Sequence, residues 1–348
     1  MTTLQDYFYS KEDKLEEFPD KGSYVTFYKN FKEFMDKNVH PEIKAVTTRL
    51  EDTVFLNDHS SKHVEMVIEK VSYIINDIGI GSFLSLYECF FLLTAIQIHD
   101  AGHIINGRED HAETAKKFLK EFNKYTVSAI ERKIINKIAK AHSGKNDPIG
   151  QLEAEMEVSS FKIRPRLLAA LLRLGDELAD GRMRGSNYLL DIDKIPVESK
   201  LFHVFSRCLD TFKPRMDCHE ISMIFYVNKQ YATELFKKPT KKGLIDTFLI
   251  DEIYIRTVKT FNECIYYNRF VPEHIRLSAV NVNIHFLDDE DDEDFFNTIS
   301  YRLEEKGYPT LYTENIFELC EFELLKDGKR LTGEFIKSSL ENNNSYDI

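Results

Sequence analysis

A chain of 348 residues, 43% hydrophobic and 30% charged, has the composition of a packed globular protein with one large domain or two of ordinary size, and excludes a disordered or fibrous chain. Its net charge of −12 argues against a protein that coats nucleic acid, which needs a basic surface. No apolar run reaches the roughly 20 residues that span a bilayer, "MTTLQDYFYSKEDKLEEF" has no apolar signal core, and the scattered Cys89, Cys208, Cys218, Cys264 and Cys320 read as free thiols, so a cytoplasmic protein is expected.

Residues 24–56 place apolar side chains at helical spacing, with Phe27, Phe31, Phe34 and Met35 on one face. Within 60–77, Val64, Val67, Ile68, Val71, Ile74 and Ile75 form a continuous stripe, and Ser60 and Ser61 suit the N-cap region. "SLYECFFLLTAIQIH", residues 85–99, is almost wholly apolar yet too short to cross a membrane, which predicts a buried central helix. Amphipathic helices are predicted over 110–124 and 127–142, and another over 165–180, which opens on Pro165. No strand is expected before about residue 190.

The character changes beyond about residue 205. Residues 220–227 and 279–287 carry β-branched side chains in partial alternation and predict strands. Residues 243–267 predict a long helix. Residues 288–308 predict a helix opened by an acidic cluster, which the positive end of the helix dipole favours. Residues 317–325 predict a third strand. The expected fold is therefore mainly α: an all-helical bundle followed by a smaller α+β domain. The expected divisions are an N-terminal helical segment at 1–54, the bundle at 55–200 and the α+β domain at 205–340.

Six of the eleven histidines lie between residues 59 and 142: His59, His63, His99, His103, His111 and His142. His59 and His63 are one helical turn apart. His99 and Asp100 close the apolar 85–99 helix, with His103 following. Asp176 stands inside the apolar "LLRLGDELA", where an unpaired carboxylate is costly. A divalent cation would take up these groups together, and imidazole nitrogen with carboxylate oxygen suits Zn, Mn, Fe or Ni better than Ca. His40, His203, His219, His274 and His285 read as ordinary.

The order His63, His99-Asp100, Asp176, each on its own helix, resembles the HD superfamily of metal-dependent phosphohydrolases over roughly residues 55–185. "HDAGH" is similar to that family's central motif, and the chain also resembles HD modules that carry a C-terminal extension. The resemblance implies that His63, His99, Asp100 and Asp176 hold a metal, that Asp100 bridges to a second ion, and that His111 and His142 serve that ion. One or two divalent ions are implied: Mn, Fe, Ni, Zn, Co or Mg. The His59/His63 and His99/His103 spacings resemble the cyclic-nucleotide phosphodiesterase branch, which implies His59 or His103 as the acid to the leaving oxygen. Lys145, Arg182 and Arg184 follow ligand positions closely in sequence and are candidates for neutralising phosphate oxygens. Within residues 55–185 there is no GYP motif of the cyclic-di-GMP branch; the Gly-Tyr-Pro at 307–309 lies far beyond that span.

The implied reaction is hydrolysis of a phosphoester or phosphoanhydride of a nucleotide or related small molecule by a metal-activated hydroxide. Two other functions stay open: a single-strand nuclease, which the acidic charge places behind, and a regulatory or sensor protein that binds metal or nucleotide without turnover. For the α+β domain, capping the site, setting specificity, and docking a protein partner or a second copy all stay open.

Overall fold

The structure is a computed structural model that describes residues 1–47, 55, 57, 60–106, 115–287, 294–305, 313–326 and 328–341. The chain divides into two compact units, one of Met1–Arg49, Asp58–Ala179 and Tyr266–Arg276, the other of Leu50–Asn57, Asp180–Ile265 and Leu277–Ile348. The protein is mainly α with an α+β C-terminal part. Among the described residues no helix is long and apolar enough to cross a membrane.

The first unit contains helices α1 (Leu4–Tyr9), α2 (Tyr24–Asn38), α3 (His40–Thr47), α4 (Ser61–Ile75), α5 (Ile80–Phe83), α6 (Leu86–Ile98), α7 (His103–Asn106), α8 (Ala129–Lys140) and α9 (Pro165–Leu178). The helical spacing over 24–56 resolves into α2 and α3, because Pro41 has no N–H to extend α2 and is accepted only in the first turn of a new helix. The α4 stripe is buried in full, and all thirteen residues of α6 are buried. Helices α2, α4, α8 and α9 pack around α6. Residues 107–114 lie outside the described residues, and 115–124 is a 3₁₀ helix. One expectation is corrected: a hairpin, β1 (Met156–Val158) with β2 (Phe161–Ile163), precedes residue 190. Its strands are three residues each, too short to show alternation, and Ser159 and Ser160 both take positive φ, as a two-residue hairpin turn requires.

Two buried glutamates set the level at which three helices begin. Ser85 and Glu88 form a capping box at the start of α6. Glu88, 3% exposed, also accepts from the Arg164 backbone N–H at 3.0 Å, its Nε at 2.8 Å and a terminal guanidinium nitrogen at 2.7 Å. Ser128 and Glu131 repeat the device at the start of α8, where Glu131 accepts from the hydroxyls of Tyr24 and Tyr87, each at 2.6 Å. Twelve residues separate Glu88 from Asp100, twelve separate Arg164 from Asp176, and eleven separate Glu131 from His142. At about 1.5 Å per residue, helices tied together at their starts present those residues at one level about 17–18 Å away. Helix α4 carries His63 in its first turn and so runs the opposite way.

The second unit holds a mixed four-stranded sheet in the order β3 (Leu209–Arg215), β4 (Glu220–Asn228), β7 (Ala279–Leu287), β8 (Asp294–Glu304). A separate hairpin pairs β5 (Leu235–Thr240) with β6 (Gly243–Phe248). Strands β4 and β7 are parallel and therefore need a crossover, which includes helix α11 (Leu249–Asn268). Helix α10 (Val197–Cys208) packs against β3, β4 and β5. The strands expected at 220–227 and 279–287 are present. Pro214 in β3 is tolerated because β3 is an edge strand.

Three expectations for this unit are corrected. The helix over 243–267 begins only at Leu249, since 243–248 pairs as β6. The helix over 288–308 is strand β8 across 294–304, with 288–293 and 306–308 outside the described residues. There Ile299, Tyr301 and Leu303 are buried while Thr298, Ser300 and Glu304 are exposed, a period of two that pairing with β7 enforces. Residues 317–325 are not a strand: Ile316–Leu319 is one helical turn capped by Asn315, and only Leu325–Lys326 pairs.

His203, in α10, is fully buried as a neutral ring. The Ser186 N–H donates to its Nδ1 at 3.2 Å, so Nε2–H donates to the Phe55 carbonyl at 3.1 Å. Burial holds its pKa below the ordinary value against the opposing effects of that carbonyl and Asp180. A depressed histidine means that the unfolded chain takes the proton first, so its stabilising contribution is intact above about pH 6.5 and is lost as the pH falls below it. Urea midpoints of the wild type and His203→Asn should therefore differ more at pH 7.5 than at pH 5.5. An equal gap at both pH values would contradict the neutral, buried ring.

Candidate metal centre

In the first unit His63, His99, Asp100 and Asp176 offer four ligand atoms that all lie within 4.8 Å of one another. His63 Nε2 is 3.3 Å from His99 Nε2, 3.5 Å from Asp100 Oδ2 and 3.0 Å from Asp176 Oδ1. His99 Nε2 is 3.3 Å from Asp100 Oδ2 and 3.5 Å from Asp176 Oδ1. The three elements reach this point because α6 and α9 are tied at their starts and α4 packs alongside α9. Gly175 permits that packing: a Cβ there would come within 2.6 Å of the Val71 methyl on α4.

The His99 ring is turned as a metal ligand's would be. His99 directs Nδ1 at the Ile96 carbonyl at 2.8 Å, which makes Nδ1–H the donor and turns the Nε2 lone pair towards the other three groups. Two imidazole nitrogens and two carboxylate oxygens facing one another repel unless a proton or a cation stands among them. Burial opposes charging His99, but Asp100 and Asp176 outweigh it and push its pKa well above the ordinary value. Burial likewise works to raise Asp176, yet His63 and His99 hold it well below the usual carboxylate range. This donor set suits a divalent borderline cation, and the residues fit an HD-type metal site.

Asp100 has a second side. Its Oδ1 lies 3.7 Å from His103 Nε2 and 3.8 Å from His142 Nε2. His142 directs Nδ1 at the Ala139 carbonyl three residues back at 2.5 Å, the same arrangement as His99 with Ile96. Asp100 therefore stands between two pairs of imidazoles, one facing each carboxylate oxygen. His63, His99, Asp100, His103 and His142 are all buried, and Asp176 keeps 26% of its side chain exposed.

His59 and His111 lie outside the described residues. Lys145 is exposed, three residues beyond His142. Arg182 and Arg184 belong to the second unit. There burial would raise the Asp180 carboxyl, but Arg184 and Arg256 hold it below its ordinary range. What reasoning from the sequence missed is the support: Glu88, Arg164 and Glu131. A signal was present, since Ser85-x-x-Glu88 and Ser128-x-x-Glu131 are capping-box patterns. Their second partners, Arg164, Tyr24 and Tyr87, had none.

The family model HD-CE matches residues 47–254 of this chain. No curated protein and no solved structure matches it.

Proposed function

The chain belongs to the HD-CE family, and from that premise we propose that it is a metal-dependent phosphohydrolase acting on a phosphoester or phosphoanhydride of a nucleotide or related small molecule. The observation that carries this reading is the convergence of His63, His99, Asp100 and Asp176, with the second Asp100 oxygen turned to His103 and His142. His63 Nε2, His99 Nε2, Asp100 Oδ2 and Asp176 Oδ1 would hold one divalent cation, and Asp100 Oδ1 with His142 would contribute to a second. Cations bound there polarise phosphoryl oxygens and lower the pKa of water from 15.7 towards about 7.

The chain's own groups do the rest. Asp100 accepts a hydrogen bond from the attacking water and orients it. His103, buried beside Asp100, donates a proton to the leaving oxygen; His59 is the other candidate for that role. Lys145 offsets phosphate charge in a chain that is otherwise strongly negative. The test is direct. Purified protein should carry one or two divalent ions per chain by elemental analysis. Loaded with Mn, it should release phosphate or nucleoside monophosphate from at least one member of a nucleotide and cyclic-dinucleotide panel. Tight nucleotide binding without turnover would replace this reading with a sensor. A protein that retains no divalent ion would remove its basis.

A further inference from the structure

The segment that follows His142 is an exposed loop, yet it is held from several directions. Arg173 donates to the Gly144 carbonyl at 3.1 Å. Tyr266 donates to Asp147 Oδ1 at 2.9 Å and accepts from the Ile149 N–H at 3.0 Å. Arg269 grips both Asp147 oxygens, at 3.3 and 3.0 Å. Arg166 donates to the carbonyls of Leu152 at 2.6 Å and Gly150 at 3.0 Å. The guanidinium groups of Arg173 and Arg269 lie 4.9 and 5.3 Å from the Tyr266 ring centre. Tyr266 and Arg269 come from more than a hundred residues downstream, in the 266–276 segment that belongs to this unit.

Two features relate this clamp to the metal cluster. Arg173 lies one turn before Asp176 on α9, so the loop is fastened to the helix that supplies a ligand. Lys145 follows His142 by three residues, a backbone span of at most about 11 Å. The clamp also governs charge. Asp147 is the acid nearest Lys145 in sequence, and Arg269 and Tyr266 already occupy it; together they hold its carboxyl below the ordinary range. Lys145 is left exposed, with no ion pair or hydrogen bond to any described residue. An exposed lysine is ordinarily solvated, and most surface loops need no such fastening.

We propose that Tyr266 and Arg269 are positioning residues, which hold the 143–150 loop and keep Asp147 occupied so that the Lys145 ammonium meets a phosphate group bound beside Asp100 and His142. The inference rests on the phosphate chemistry proposed above, but not on turnover.

Inorganic phosphate binding to the Mn-loaded full-length protein, measured by titration calorimetry, tests it. Lys145→Ala should weaken phosphate binding roughly tenfold, as for a lost charge-assisted hydrogen bond. Tyr266→Phe and Arg269→Lys, which keep the ring and the charge, should each weaken it by about three- to tenfold with Mn content unchanged. Lys145→Ala combined with Arg269→Lys should be no weaker than Lys145→Ala alone, because both act through one contact. Fully additive losses would overturn the proposal, as would wild-type affinity in the Tyr266 and Arg269 variants, or no phosphate binding by the wild type. Phosphate binding that follows this pattern without hydrolysis of any substrate would count against the hydrolase reading and leave the clamp standing.

Discussion

Asp100→Asn is expected to lower phosphoester hydrolysis by about 10³-fold, within the range for losing a group that handles a proton, and to lower the Mn content per chain as well. The substitution keeps the side chain's shape. It removes the negative charge that faces His63 and His99 through one oxygen and His103 and His142 through the other. His103→Ala should separate the two effects: turnover falls while metal content stays, since His103 lies outside the four-atom cluster. Hydrolysis of bis(p-nitrophenyl) phosphate alongside elemental analysis reads both. An Asp100→Asn protein with wild-type turnover would end the assignment of Asp100 to the chemistry.

Arg164→Ala is expected to cost about 3 kcal/mol, the lower end for breaking a buried pair, because Arg164 keeps 35% of its side chain exposed while Glu88 keeps 4%. For a domain of this size that is a fall in Tm of about 6–12 °C. The loss is that of a charge left unanswered: Glu88 would retain its capping-box bonds to Ser85 but lose all guanidinium donors. The Glu88→Gln/Arg164→Ala double variant should recover part of the stability, because the stranded charge is gone. Since the pair ties the starts of α6 and α9, the single variant should also bind Mn more weakly. Calorimetric melting with and without Mn checks both. If Arg164→Ala melts within 1–2 °C of the wild type, a shift of under about 1 kcal/mol, the pin is not what aligns the helices.

The sequence told which groups had to be answered and where most of the helices run. The α4 stripe, the apolar α6 and the Pro165 start of α9 are local patterns, written within one or two turns of helix, and the structure has them nearly to the residue. His99, Asp100 and Asp176 were likewise legible, because a histidine-aspartate pair at the end of an apolar helix and a carboxylate in "LLRLGDELA" are conspicuous wherever they occur; His63 joined them through the resemblance to the HD superfamily.

Residues 294–304 form a strand where the sequence predicts a helix. An acidic start and scattered apolar residues satisfy either period, and only β7 alongside decides for a period of two. The short hairpin at 156–163 offered too few residues for any period to register.

What the sequence determined by itself was the chemistry of the donors: two imidazoles and two carboxylates too costly to bury unanswered. What only the tertiary structure decided was their meeting, and which face of Asp100 each histidine takes. The helices that carry the donors are tied by Glu88 with Arg164 and by Glu131 with Tyr24 and Tyr87. These pairs are separated by 44 to 107 residues. Contacts over such separations leave no trace in local periodicity, because each partner on its own is an unremarkable polar residue at a helix end or in a loop.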